Sequence, residues 1–190
     1  MFFFDGVNVN NTFSPRSIEH AYLAILNEDL LSAQAVFESL DSPRSRWGMA
    51  LVGIISGYLE YFPTYFEIRN FYEIDLDFLI QNEKFEYTEN LLSSLCILAK
   101  INREVYKYTA RVMYENKLYK TALEYMEKSK ELFYNDPELH FMLAKYYESI
   151  SQFQQAKYYI DECLKIVPTY YPAIKINEEI VHKLQINGNI

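Results

Sequence analysis

Residues 137–170 read PELHFMLAKYYESISQFQQAKYYIDECLKIVPTY, and this stretch decides the fold. It carries two apolar stripes of helical period, over 136–149 and 153–166, separated by too few residues for anything but an antiparallel helix pair. The second stripe opens on Phe153 and continues through Ala156, Ile160 and Cys163. The same positions recur 34 residues earlier as Tyr119, Ala122, Met126 and Ser129, and 34 before that as Phe85, Thr88, Leu92 and Leu95. The first helices agree: Ala110 and Ala144 share the period and are followed by Met113 and Tyr147. Small residues at fixed positions let paired helices approach, while large ones fill the groove between one pair and the next.

Working outward, helical stripes occupy 85–100, 102–115, 119–132, 136–149, 153–166 and 170–185. Upstream, Ser14-Pro15 reads as a cap with a first-turn proline, opening a helix to Asn27 with Ile18, Tyr22, Ile25 and Leu26 inward. A short helix follows over Leu30–Leu40, a third over Ser45–Tyr61, and a fourth from Pro63 to Gln81. On the fourth, Tyr65, Ile68, Tyr72, Leu76 and Leu79 are expected inward, with Glu67, Asn70, Glu73 and Asp77 outward. Glycines and prolines are scarce, 5 and 6, and no strand pattern occurs. The expectation is an all-α chain of about ten helices: a tail over 1–14, degenerate hairpins over 15–82, regular repeats with a terminal capping helix over 83–185, and a tail over 186–190.

These columns resemble the tetratricopeptide repeat family, an α-solenoid of 34-residue helix-turn-helix units. Pro137 to Tyr170 matches best, with Leu143-Ala144-x-x-Tyr147, Ala156, Ile160, Cys163 and the closing Pro168. Arg103 to Asp136 matches through Ala110, Tyr119, Ala122 and Met126, with Tyr134 where the closing proline is expected. Residues 69–102 match only in their second half, because Asp75 and Leu76 replace the large-small pair. Leu30, Ala33, Phe37 and Leu40 are a degenerate echo.

The net charge of −8 lies entirely in residues 1–100, which hold 6 basic against 14 acidic side chains; residues 101–190 hold 12 of each. Eight of the acids fall between Glu60 and Glu89, read as a solvated helix face. No cationic track accompanies the tyrosines of the second half, so nucleic acid is not an expected partner. Core packing accounts for Tyr147, Tyr106 and Tyr158. Cys96 and Cys163 lie in apolar helical patterns without a metal-ligand companion and read as small buried hydrophobes, which fits a reducing cytoplasm. Thirteen uncharged residues, Trp47 to Leu59, fall short of the roughly 18–20 that a membrane span needs and read as a buried helix, whose Gly48, Gly53 and Gly57 permit close helix approach. The N-terminus lacks the basic and apolar regions of a secretory signal.

His20, His140 and His182 are scattered, without a triad companion, a metal motif or a glycine-rich phosphate loop, so neither catalysis nor a cofactor is expected. His140 is expected at a core or groove edge. The resemblance implies instead a concave groove lined by the first helix of each pair, holding an extended or helical peptide. Its lining, carried over, is Glu104, Lys107, Tyr108 and Arg111, then Phe141, Met142 and Lys145, then Lys175, Ile176 and Glu179. Lys107, Arg111, Lys145 and Lys175 either form a basic strip for acidic side chains or a carboxylate, or pair with neighbouring glutamates. Members that clamp a C-terminal carboxylate use a groove asparagine where Met142 stands, so a heat-shock-tail receptor is not expected.

The functional expectation is a cytoplasmic, non-enzymatic adaptor binding a protein or peptide segment. Two alternatives are a chaperone like those of type III secretion, which share the size, acidity and repeats, and a scaffold or homodimer assembled through an exposed face of the third helix containing Leu51, Ile54, Ile55 and Tyr58.

Overall fold

Capping chemistry sets several of the helix boundaries, by side chains at some of the starts and by left-handed turns at some of the ends. The computed structural model describes residues 17–186. The expected N-terminal tail, the Ser14-Pro15 helix start and residues 187–190 of the expected C-terminal tail lie outside the described residues. Within them are eleven α-helices and no strand: α1 (Ile18–Leu26), α2 (Leu30–Glu38), α3 (Pro43–Ile55), α4 (Tyr65–Gln81), α5 (Phe85–Ser93), α6 (Leu95–Ile101), α7 (Val105–Glu115), α8 (Tyr119–Leu132), α9 (Pro137–Ser149), α10 (Phe153–Ile166) and α11 (Tyr171–Ile186).

The starts of α2, α3, α4 and α9 are built from side-chain oxygens that satisfy free backbone N–H groups. The Asp136 carboxylate accepts from the Glu138 and Leu139 amides at 2.9 and 3.2 Å, with Pro137 in the first turn. Thr64 and Glu67 form a reciprocal capping box: the Glu67 amide donates to Thr64 Oγ1 at 3.3 Å and the Thr64 amide to Glu67 Oε2 at 2.8 Å.

Helix stops repeat one device. After α9, Ser151 takes φ 60°, its amide donates to the Glu148 carbonyl and the Gln152 amide to the Tyr147 carbonyl, both at 2.9 Å. This is the Schellman arrangement. It recurs at Lys117, 34 residues earlier, at Glu83, a further 34 earlier, and at Glu28 after α1, each with φ between 56° and 63°. The repeat is therefore written in the backbone as well as in side-chain size. Gly57, at φ 78°, makes the fifth such turn and stops α3 at Ile55, six residues before the expected end at Tyr61. The segment expected as one helix over 85–100 is two: the Ser94 hydroxyl donates back to the Leu91 carbonyl at 2.7 Å, and the chain breaks there between α5 and α6.

Hairpins α1/α2, α4/α5, α7/α8 and α9/α10 each pack internally, and neighbouring hairpins touch through α4 on α7, α7 on α9, α8 on α9 and α10 on α11. The small columns lie at these seams: Ala110, Ala122, Ala144, Ala156, Ser129 and Cys163 have no exposed surface. The aromatic that opens each second helix is the weakest column, since Phe85 is 68% exposed and Tyr119 38%.

Helix α3 departs from the repeat and joins the first hairpin to the second, packing on α2, α4 and α5. Its apolar residues Leu51, Ile54 and Ile55 are buried inside the chain and only Tyr58, beyond the helix, is exposed. The exposed face expected for self-assembly is thus absent. Gly48 lets α2 approach: a Cβ there meets the Phe37 ring at 2.3 to 2.5 Å.

Three further expectations are corrected by tertiary partners. Cys96 is exposed, while Cys163 is buried. Tyr65 is exposed and Glu67 buried, because Glu67 caps α4 and receives Arg46 Nε at 3.1 Å. Tyr158 is 48% exposed, and Tyr159 takes the buried place beside Tyr147, their rings parallel with centroids 5.4 Å apart. Tyr106 packs on Tyr125 as expected.

The acids of 60–89 do not form one solvated face, since Asp75 is wholly buried at the junction of α1, α3 and α4. It accepts from Tyr22 Oη at 2.9 Å, Trp47 Nε1 at 2.5 Å and Arg44 Nη2 at 2.5 Å. Burial pushes its carboxyl above the usual range, against the pull of Arg44, Trp47 and Tyr22. Asp75 occupies the position of Thr109 and Leu143 in the later repeats, and α3 supplies the polar partners that make a carboxylate tenable there.

Candidate functional site

The ten expected groove residues divide into three places. Glu104, Lys107, Tyr108 and Arg111 belong to an ion network joining α4, α7 and the start of α9. Lys107 is only 7% exposed; its ammonium lies 2.7 Å from Asp136, 3.3 Å from Glu138 and 3.4 Å from Glu104. Burial alone would lower its pKa, but the hydrogen bond and charge of Asp136, with Glu138 and Glu104, carry it above the ordinary lysine range. Arg111 donates to both Glu73 oxygens at 2.8 and 3.0 Å and to Glu138. Tyr108 Oη donates to Glu104 at 2.9 Å, and burial with that bond pushes the phenol up to about 12. Of the two readings of the basic strip, pairing describes Lys107 and Arg111.

Phe141, Met142 and Lys145 line a cleft between α7 and α9 that has a volume of about 360 Å³. Arg111 and Glu138 form one side of it. Three tyrosines that the sequence did not place there complete its walls: Tyr114 from α7, Tyr119 from α8 and Tyr170 ahead of α11. The Phe141 ring meets Tyr170 edge-on at 5.4 Å and Tyr114 meets Tyr119 at 5.3 Å. Lys145 has no carboxylate partner among the described residues. Its ammonium instead lies over the Tyr114 ring at 5.2 Å and the Phe141 ring at 5.9 Å. Lys117, at the left-handed turn position, adds an exposed cation at the rim.

Lys175, Ile176 and Glu179 lie on α11 and do not line this cleft. Lys175 and Glu179 face solvent, and Ile176 packs half-buried against the core. The signal that could have found the missed walls was the 34-residue spacing of the helix-ending turns, which brings Lys117 and Tyr119 to the mouth of the α7/α9 groove.

His140 is buried, with Nε2 at 2.6 Å from the Tyr134 carbonyl and its ring against Tyr159. Among the described residues no group of three or more His, Cys, Asp or Glu side chains is arranged to hold a metal, and no helix is long and apolar enough to cross a membrane.

No known family model matches this sequence, and no curated protein matches it.

Proposed function

We propose that the chain is a non-enzymatic interaction module of tetratricopeptide-like solenoid type, and that the cleft between α7 and α9 takes a segment of another protein. The observation that carries this reading is Lys145. Among the described residues its half-buried ammonium meets two aromatic rings and no paired carboxylate, and it opens on a cleft of about 360 Å³ walled by aromatic side chains. A ligand side chain of apolar character fits between Phe141, Met142 and Tyr170, and a carboxylate beside it satisfies Lys145. Lys107 and Arg111 support the groove by fixing α4, α7 and α9 relative to one another. The exposed, unpaired thiol of Cys96 is compatible with work in a reducing cytoplasm.

The test is selection of a random peptide library on the immobilised protein, repeated on Phe141→Ala and Lys145→Glu. The reading expects enrichment of peptides with a large apolar residue, binding that falls at least tenfold on either variant, and unchanged thermal melting. Enriched peptides that bind both variants as well as wild type would remove the cleft from the reading.

A further inference from the structure

Arg111 belongs to two structures at once. Its guanidinium lines the α7/α9 cleft together with Glu138 and Phe141, and from behind it is held by Glu73 of α4, whose two carboxylate oxygens it reaches at 2.8 and 3.0 Å. The network around it holds more acid than base: Glu73, Glu104, Asp136 and Glu138 share two cations, Lys107 and Arg111. Glu115, which also lines the cleft, adds a further negative charge close to Glu73. The other cations that reach α4 and its neighbours are spent elsewhere, Arg44 on Asp75, Arg46 on Glu67 and Lys84 on Glu28, while Glu86 and Glu89 of α5 face solvent.

A half-buried cluster with surplus carboxylates takes up a proton more readily than one of its members does in water. Glu73 is the member placed to do so. Burial raises its carboxyl above the ordinary range against the pull of Arg111, and Glu138 and Glu115 add to the rise. Glu104 goes the other way: despite its burial, the hydrogen bond from Tyr108 and the charge of Lys107 hold it below that range. We propose that Glu73 sets the affinity of the α7/α9 cleft for acidic segments by acting on Arg111, an inference that rests on the cleft being the binding site. Ionised, Glu73 offsets the guanidinium charge at the cleft wall. Protonated, it leaves Arg111 to Glu138 and to the acid of a bound segment, on the wall that also carries Lys145. Linkage fixes the sign: an acidic ligand binds more tightly as pH falls through the folded value of Glu73 toward the ordinary glutamate value of about 4.3, and an uncharged apolar ligand does not respond.

The probes are 2-phenylethanesulfonate, an aromatic anion that takes up no proton in this range, and 2-phenylethanol, its uncharged counterpart. Each is titrated into the full chain with the Met142 methyl as reporter. Sulfonate affinity is expected to rise roughly threefold or more between neutral pH and about pH 4.3, with phenylethanol affinity unchanged. Glu73→Gln is expected to bind the sulfonate at neutral pH as wild type does at the lower pH, and to lose most of the pH dependence. In wild type, saturation with the sulfonate should move the midpoint of the Glu73 carboxyl-carbon titration to higher pH, a readout that needs no variant. A sulfonate affinity indifferent to pH, a wild-type pH dependence retained in Glu73→Gln, or an unmoved Glu73 midpoint overturns the proposal and leaves the cleft as a binding site. No Met142 shift with either compound at any pH overturns both.

Discussion

Asp75 and Lys107 show what a single residue does when tertiary partners outvote local pattern. Both fall on helices whose periodicity was readable, but their partners are distant in sequence: Trp47 and Arg44 are 28 and 31 residues before Asp75, and Asp136 is 29 residues after Lys107. No local rule couples such positions, which is why Asp75 read as a solvated acid and Lys107 as a groove cation. Removing the carboxylate in Asp75→Ala leaves the Trp47 indole, the Tyr22 hydroxyl and Arg44 without their acceptor, and is expected to cost about 3 kcal/mol in urea unfolding. Asp75→Asn keeps an acceptor and should cost less. Because burial raises the Asp75 pKa, the folded chain keeps this proton at a pH where the unfolded chain has released it. The group's contribution to stability therefore grows as pH falls through the folded value, and levels off below the ordinary carboxylate value of about 4. Measured against Asp75→Asn, wild type should gain stability as pH falls toward the ordinary carboxylate value of about 4; a constant gap would contradict this. Lys107→Met removes the buried cation shared by Asp136, Glu138 and Glu104 and is expected to cost about 3 kcal/mol, whereas Lys145→Ala, with no carboxylate partner among the described residues, should cost under about 1 kcal/mol.

Helices were the legible scale. The stripes at 119–132 and 153–166 coincide with α8 and α10, because their apolar spacing and short connections leave no other solution. What the stripes did not show were the stops. Glycine holds the left-handed position only at Gly57; at the other four stops it is held by Glu28, Glu83, Lys117 and Ser151, so the usual breaker signal is missing there, and Asn27, Asn82 and Asn116 just before three of them were the available clue. Gly48 was legible as a site of close helix approach, and its partner is the Phe37 ring of α2. Gly48→Ala forces the buried Phe37 ring to move, and overpacking should exceed the helix-propensity gain, for a net loss of about 1–2 kcal/mol. A chemical melt of the variant checks it, and a gain in stability would show that α2 shifts freely.

At the scale of the whole molecule, each hairpin meets chiefly the next, so stability is expected to be distributed by neighbour and not shared evenly. Deleting α11, which buries Ala173, Ile180 and Leu184 against α10, should lower hydrogen-exchange protection in α9 and α10 at least tenfold while leaving α1 to α4 within twofold. Equal loss everywhere would mean one indivisible core. The chain's excess negative charge is confined to residues 1–100, where Glu67 and Asp75 are consumed internally, and the cleft stands in the neutral half beside Lys145 and Lys117, neither of which pairs with a carboxylate among the described residues. The sequence placed Phe141, Met142 and Lys145 there through the repeat; it did not place Tyr114, Tyr119 and Tyr170, because their convergence depends on how α7, α8 and the segment before α11 are set together. Peptide binding at the α7/α9 cleft is measured most directly by a methyl-resonance titration of the tightest library-selected peptide into the full chain. Shifts led by Met142 are expected, with an affinity at least tenfold weaker for Lys145→Glu. Shifts confined to other helices, or an affinity indifferent to Lys145, would contradict it.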